Sequence, residues 1–354
     1  MVILGVLGLA SGAPAAGTAL PAPSLTLKGT LESVTASGPT VVVATGNPNA
    51  GATGVSCTIR LFAMATAKQT GTVRRPLPCQ DSTISEDALV WDLFLARSQI
   101  GALLLDSPSP HGDAWAFWRG PRPTGPLDGV GGTWGWTDSD VPSGFGCAWA
   151  VAAGGGVIAA ATMPNRLGMD NGDDKTPQCP AGASTTVQLS GAAVAEVTVP
   201  GSWYPIATDG KQIVLAGLDP DAQPTGELVV VDLAGRRTRP PQVAPAAVKA
   251  AYEGWLAPEG LVLMTGKGLV GPGWTVPAAK DATVGQGRVI YRVGGTLRVR
   301  RIRGGADRVL LKLPAGGNLL ASGSFGVAIA NGTETQRTRV YRVPWLTIDR
   351  TLTR

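Results

Sequence analysis

The feature that most constrains this chain is the regular return of short apolar segments, bounded by Gly, Pro or Asp, from Leu25 to Leu352. No convincing long helix interrupts them, and several alternate as strands do. The chain also has 49 Gly and 28 Pro in 354 residues. Both residue types favour turns, since Gly reaches positive φ and Pro fixes φ. The pattern predicts an all-β protein built from many short strands.

The spacing of these segments groups them into about seven units of about 46 residues. They start near Thr40, Ala88, Gly146, Trp203, Tyr252, Val284 and Leu319. Four short strands at this spacing are typical of a β-propeller blade. We therefore predict a single β-propeller domain of about seven four-stranded blades over residues 25–354. Because the spacing is uneven, six or eight blades also fit.

The clearest unit is ATDGKQIVLAGLDPDAQPTGELVVVDLAGRRTR, residues 207–239. Its DGKQIVLAG and ELVVVDLAG stretches resemble the repeat of TolB-like and WD-repeat propellers, in which a small or Asp-Gly turn precedes the second strand. Residues 287–313 resemble the same repeat, whereas the Gly-His and Trp-Asp pairs of strict WD repeats are missing from their places and Trp91-Asp92 is isolated. The resemblance implies a propeller and no particular activity. It also implies that residues 24–29 close the ring by pairing with residues 339–348.

The amino-terminal segment predicts export. The first charged residue is Lys28, and an apolar run from Val2 to Ala10 is followed by small residues, which resembles a secretory signal peptide. The apolar core of about ten residues is shorter than the roughly 20 that a spanning helix needs. We therefore expect a signal peptide and linker over residues 1–24, no stable membrane span, and a secreted, extracellular or cell-envelope location. The excess of Arg over Lys, with abundant Ala, Gly and Pro, indicates a GC-rich bacterial source.

The four cysteines agree with export. Cys57 and Cys79 bracket one predicted blade, and Cys147 and Cys179 bracket a long loop in another. Two sequential disulfides are the simplest of three pairings, and each would contribute on the order of 3 kcal/mol by restricting the unfolded chain. Four buried thiols are the alternative.

Several kinds of active site are excluded by the residues present. His111 is the only histidine, and no G-x-S-x-G motif occurs, so neither a histidine metal site nor a nucleophile elbow is expected. We predict no cofactor, with an oxygen-ligand calcium site as the alternative. Its two candidate positions are polar turns: Asp170, Asn171, Asp173 and Asp174 in one, and Asp219, Asp221 and Glu227 in the other. Such residues more often bond their own backbone.

Aromatic and basic side chains provide the candidate ligand-binding residues. Trp134 and Trp136 lie two apart in GTWGWTDSD, and Trp115 and Trp118 come shortly before them. Exposed indole rings stack on sugars or anchor proteins, whereas buried ones fill space between blades.

The basic candidates lie near the carboxyl terminus. Arg298 and Arg300 would share one strand face and could bind an anionic glycan, a lipid headgroup or phosphate; the alternative is a solvated outer strand. No nucleic-acid partner is predicted, because the aromatic and basic residues are not interleaved.

These observations predict a secreted, monomeric β-propeller that acts as a binding or scaffolding module, with a glycan or another envelope protein as its ligand. One alternative is an extracellular carboxylate-based polysaccharide hydrolase or lyase that works in the central funnel. The other is a purely structural surface protein. A cluster of Asp, Glu, Tyr and Arg in the funnel would favour the enzyme, and an apolar funnel with buried Trp would favour the structural protein.

Overall fold

The computed structural model describes residues 20–47, 56–73, 89–109, 112–121, 128–129, 150–162, 184–220, 223–333 and 337–353. Within these ranges the strands form seven four-stranded antiparallel sheets. Each sheet is one blade, and the first strand of each blade lies next to the first strand of the blades before and after it. The chain is an all-β propeller, and its seven blades confirm the blade number predicted from the spacing.

Strand β1 (Leu25–Lys28) precedes the first blade. Blade 1 contains β2 (Thr30–Ser37), β3 (Thr40–Asn47), β4 (Ser56–Ala63) and β5 (Gln69–Thr72). Blade 2 contains β6 (Leu89–Leu95), β7 (Gln99–Ser109), β8 (Gly112–Pro121) and β9 (Asp128–Gly129). Blade 3 contains β10 (Ala150–Gly154), β11 (Val157–Thr162), β12 (Ser184–Ser190) and β13 (Glu196–Pro200).

Blade 4 contains β14 (Trp203–Thr208), β15 (Gln212–Leu218), β16 (Pro224–Asp232) and β17 (Arg237–Thr238). The helix α1 (Pro245–Lys249) leads to blade 5, which contains β18 (Ala251–Ala257), β19 (Gly260–Thr265), β20 (Gly268–Gly271) and β21 (Trp274–Pro277). Blade 6 contains β22 (Ala282–Gly285), β23 (Arg288–Val293), β24 (Thr296–Arg301) and β25 (Arg308–Lys312). Blade 7 contains β26 (Gly317–Ser322), β27 (Gly326–Thr333) and β28 (Arg337–Pro344), and the helix α2 (Trp345–Thr353) follows.

The ring closes because the outer strand of blade 7 comes from the other end of the chain. Strand β1 pairs antiparallel with β28, with Leu25 opposite Val340 and Lys28 opposite Arg337. This confirms the predicted closure by the amino-terminal strand. The predicted partner segment, residues 339–348, was mostly wrong, because only Arg339 and Val340 of it pair with β1. Residues 341–344 continue β28 beyond the end of β1, and α2 begins at Trp345. The Trp345 indole donates to the carbonyl of Gly323 at 2.9 Å, which holds the start of the helix against blade 7.

The core lies between the blades. The described residues form seven buried apolar clusters, one at each interface between neighbouring blades. Strand β3 shows why: Val41 and Val43 pack toward blade 7, whereas Val42 and Ala44 pack toward blade 2. The second strand of a blade is therefore buried on both faces, and for this reason its sequence is a continuous apolar run.

The antiparallel strands give the ring two different faces. The connections from first to second and from third to fourth strand lie on one face, which we call the turn face. The connections from second to third strand and from blade to blade lie on the other, which we call the loop face. Helix α2 starts on the turn face, where the Trp345 amide donates to the Phe325 carbonyl at 3.1 Å. Among the described residues, no helix is long and apolar enough to cross a bilayer.

Candidate functional site

A cavity of about 900 Å³ occupies the centre of the ring, and the first strands of all seven blades line it. We call this cavity the channel. Much of its wall is made of small or apolar residues, as in β10 and the turn after it, where Ala150 to Gly156 reads AVAAGGG. Polar and aromatic side chains interrupt this wall in a few places. Those places are the candidate functional site, because a concave apolar pocket with a few polar groups is the usual form of a ligand site.

Asp92 of β6 is the acidic residue on one side of this central channel. Its Oδ1 accepts a hydrogen bond from the backbone N–H of Leu93 at 2.8 Å and one from the Ser33 hydroxyl at 3.4 Å. Ser33 belongs to blade 1, so the second bond links two blades. Burial raises the pKa of the Asp92 carboxyl to about 6, against the lowering effect of these two bonds.

Glu253 of β18 is the second acidic residue of the channel. Blades 2 and 5 are three steps apart in a ring of seven, so Glu253 and Asp92 stand on opposite walls. The Glu253 side chain is exposed to solvent inside the channel, but the ring of blades encloses it. This enclosure, followed by the negative charges of Asp92 and Asp281, raises the pKa of Glu253 to about 8. The pair therefore holds a proton at neutral pH, mainly on Glu253.

Aromatic residues line the channel on the side of Glu253. Tyr252 lines the channel and is 63% exposed, the largest exposed fraction among the large hydrophobic residues of the described chain. Tyr204 of β14 and Trp255 of β18 line the same channel and are half-buried. Burial raises the pKa of the Tyr204 hydroxyl above its ordinary value, so that side chain is a neutral donor and acceptor. The wall formed by blades 4 and 5 thus carries aromatic residues and the protonated Glu253, and the opposite wall carries Asp92.

β-Bulges place these residues. The register of β18 shifts between Ala251 and Glu253, and that of β6 shifts between Val90 and Asp92. A bulge adds one residue to a strand and re-aims its side chains, so Tyr252 and Glu253 both reach the channel although adjacent strand residues normally alternate. Blades 2 and 5 thus share the same local pattern, an aromatic residue at the bulge followed by an acid.

The tryptophans predicted to bind ligand are only partly described. Trp115 and Trp118 lie in β8, opposite Leu105 and Ala102 of β7, and their side chains are outside the described residues. Trp134 and Trp136 fall between β9 and β10, also outside them. Binding by these four residues stays a prediction.

The two predicted arginines lie at the interface between blades 5 and 6. Arg300 is only 7% exposed, and its guanidinium lies 4.1 Å from the centroid of the Trp274 ring. It pairs with Asp307 at 3.3 Å and donates to the Gly305 carbonyl at 3.3 Å. Arg298 lies on the same strand and is half-buried. Arg300 is therefore part of the blade interface and not of a solvated row; binding of an anion by the two stays untested.

The remaining predicted sites fall largely outside the described residues. Cys57 lies in β4, but its side chain is not described, and neither are Cys79, Cys147 and Cys179, so the disulfides stay a prediction. The same holds for Asp170, Asn171, Asp173, Asp174 and Asp221 of the calcium alternative. Asp219 accepts a hydrogen bond from the backbone N–H of Gln223 at 2.8 Å, as a turn-forming Asp does. Glu227, the last of that set, is exposed in β16.

No family model and no curated protein matches the chain. Among solved structures it is similar to an acylaminoacyl peptidase from Pyrococcus horikoshii, at 10% identity over 89% of this chain and 51% of that one, with a TM-score of 0.49. The chain thus spans about half the length of the peptidases it matches.

Two further similarities cover most of both proteins. Sqt1 from Saccharomyces cerevisiae has 10% identity over 92% of this chain and 100% of that one, with a TM-score of 0.42. The GH43_1 enzyme from Xanthomonas citri, complexed with xylose, has 13% identity over 92% and 90%, with a TM-score of 0.38. At such identities a likeness concerns the fold alone, and the propeller itself follows from the strand pairing of this chain.

Proposed function

We propose that this propeller is a binding module that takes a segment of a glycan into its central channel. The observation that carries the proposal is the placement of exposed Tyr252 beside Glu253 on one wall, with Asp92 on the opposite wall. A sugar ring has an apolar face that packs on an aromatic ring and hydroxyls that need partners. This channel offers both.

The protonation of the two acids suits hydroxyl groups. A carboxylate only accepts hydrogen bonds, whereas a protonated carboxyl also donates one. With its pKa raised to about 8, Glu253 donates at neutral pH, and Asp92, with a pKa of about 6, mainly accepts. A sugar hydroxyl is donor and acceptor at once, so a chain of hydroxyls can bridge the two walls.

The proposal includes a place of action. The apolar run at Val2 to Ala10 and the spacing of the four cysteines support a secreted or envelope protein, where polysaccharides are abundant ligands. We propose that the protein acts there as a monomer and needs no cofactor. An envelope protein that inserts an extended segment into the channel is the competing ligand.

An array of oligosaccharides and envelope polysaccharides tests the proposal. The wild-type protein is compared with Tyr252→Ala/Glu253→Gln, with Trp134→Ala/Trp136→Ala, and with Glu227→Gln, an exposed acid outside the channel. We expect the channel variant to lose binding while Glu227→Gln keeps it. Loss only in the tryptophan variant would move the site to the loop after β9, and binding to no glycan by any protein would overturn the proposal.

Hydrolysis of the bound glycan is the second candidate function. Asp92, Glu253 and Tyr252 line the channel together with Arg97, so the four residue types that the enzyme alternative names are all present, and the two carboxyls hold their protons differently. A proton-holding acid opposite an ionised one is the arrangement of general acid and base in glycoside hydrolysis. New reducing ends released from a bound polysaccharide, and lost in both Glu253→Gln and Asp92→Asn, would establish it. Binding of the polysaccharide without release of new reducing ends would leave the binding module as the function.

A further inference from the structure

Blade 6 carries more positive charge than the whole protein. Residues 280–313 contain nine basic and two acidic side chains, a net charge of +7, against +5 for the full chain. Both acids already have partners: Asp281 pairs with Arg292 at 2.8 Å, and Asp307 pairs with Arg300 at 3.3 Å. The other basic residues of the blade therefore lack an acidic partner within it.

Three of these residues gather at one turn. Arg301 ends β24, Arg303 lies in the following turn and Arg308 begins β25, and all three are exposed. Gly304 and Gly305 between them have φ of +111° and +113°, with open space around both. Because this turn joins the third and fourth strands of the blade, it lies on the turn face.

Helix α2 adds a fourth arginine to the same place. Arg301 is opposite Arg288 in the sheet, and Arg288 forms an ion pair with Asp349 of α2. Arg350 follows directly and is exposed. We call Arg301, Arg303, Arg308 and Arg350 the basic corner. In the part of the chain that the structure describes, no ion pair involves any of the four.

Exposed aliphatic side chains lie on the same face. Leu346 is one helical turn before Arg350 and is 62% exposed. Val194, 39% exposed, lies in the turn between β12 and β13 of blade 3, on the other side of the ring. A soluble polyanion would gain nothing from either side chain. A flat surface with an apolar layer beneath its charges could contact both at once.

We propose that the turn face binds the surface of an anionic lipid bilayer, with lipid phosphates at the basic corner and Leu346 in the interfacial layer. Arg suits this role because its planar guanidinium binds phosphate through two parallel hydrogen bonds. Clustered basic residues beside exposed aliphatic ones are the usual form of a peripheral membrane surface. The inference goes beyond the channel and does not depend on its ligand.

Sedimentation with vesicles tests it. The probes are phosphatidylcholine vesicles and vesicles of equal parts phosphatidylcholine and phosphatidylglycerol, at low and high salt. We expect binding only to the anionic vesicles, and loss of it at high salt. Arg301→Gln/Arg303→Gln/Arg308→Gln should weaken binding about a hundredfold, since each basic residue near an anionic surface contributes about fivefold. Leu346→Ser should weaken it severalfold.

The matched control removes the same charge from the loop face. Arg239, Lys249 and Lys280 are exposed and lie in the connections before β18 and β22, so Arg239→Gln/Lys249→Gln/Lys280→Gln should bind nearly as wild type. Equal loss of vesicle binding in both triple variants would show that binding depends on net charge alone, and would overturn the proposal. So would binding of a soluble polyanion, such as polyglutamate, without binding of vesicles. Circular dichroism of each variant confirms its fold.

Discussion

The side-chain hydroxyl of Thr338 donates a hydrogen bond to the backbone carbonyl of Gly29, 309 positions earlier, at 3.0 Å. Thr338 is completely buried. The bond lies at the end of the β1–β28 pairing, where the two ends of the chain meet. Pairing of this kind leaves no open gap between the first and last blade.

Ring closure makes β1 important for stability. Leu25 and Leu27 are half-buried against the cluster between blades 7 and 1, whereas Thr26 and Lys28 alternate with them and are exposed. Leu25→Ser/Leu27→Ser should lower the free energy of unfolding by about 2–4 kcal/mol, measured by urea denaturation. Thr26→Ser/Lys28→Ser is the control and should change it by less than about 0.5 kcal/mol. Equal effects would contradict closure by this strand.

Glycine at Gly155 is required by backbone contact. Its φ is +57°, and a Cβ there would lie 1.7 Å from the carbonyl oxygen of Asp209 in blade 4. Gly294 has a φ of +56° with open space around it, so the two positions differ only in crowding. Gly294→Ala should cost about 1 kcal/mol from the left-handed backbone alone, and Gly155→Ala at least about 3 kcal/mol. Similar costs would show that the turns of blades 3 and 4 are not in contact.

The channel acids make stability depend on pH. Their pKa values, about 6 for Asp92 and about 8 for Glu253, are raised above the unfolded values near 4. The folded protein therefore keeps protons that the unfolded chain releases, so this contribution to the free energy of unfolding falls as pH rises from about 4 to about 8. Acidification restores it.

Replacing Glu253 removes the part of this dependence that comes from its own carboxyl. At about pH 8.5, Glu253→Gln should melt about 2 °C higher than the wild type, and the difference should vanish near pH 5. Glu227→Gln, which alters an exposed acid of blade 4, is the control and should leave the pH profile unchanged. A wild-type melting temperature that falls no more steeply with pH than that of Glu253→Gln would contradict the raised pKa.

Asp307 neutralises the buried guanidinium of Arg300. Because Arg300 packs on the Trp274 ring and is almost inaccessible, Asp307→Asn leaves a cation at the blade interface without its partner. We expect a loss of about 2 kcal/mol in the free energy of unfolding. Arg303→Gln, an exposed change in the same turn, should stay within about 0.5 kcal/mol of wild type. Unfolding in guanidinium chloride measures both variants. An Asp307→Asn variant as stable as the wild type would show that this ion pair does not stabilise the blade interface.

The blade pattern was predictable because it is local. Runs such as VVVA at 41–44 are apolar throughout, and turns such as Asp209-Gly210 follow from the hydrogen bonds that Asp209 accepts from Lys211 and Gln212, both at 2.8 Å. The strand predicted at residues 345–348 was wrong because local sequence alone did not decide its structure. Its apolar residues fit a strand as well as a short helix, and only the packing of Trp345 against blade 7 decides between them.

The channel site was not predictable, because it depends on distance across the ring. Asp92 and Glu253 are 161 positions apart in the sequence, and their opposition requires knowing which blades face each other. A usable signal did exist: Trp91-Asp92 and Tyr252-Glu253 each place an aromatic and an acid within an apolar first strand. Those pairs mark the two bulges.

A crystal structure of the protein with an oligosaccharide that it binds tests the central claim most directly. We expect electron density for the sugar inside the channel, with a ring against Tyr252 and hydroxyls within hydrogen-bonding distance of Glu253 or Asp92. Density only outside the channel, at the loop after β9 or on the turn face, with the channel filled by water alone, would contradict it.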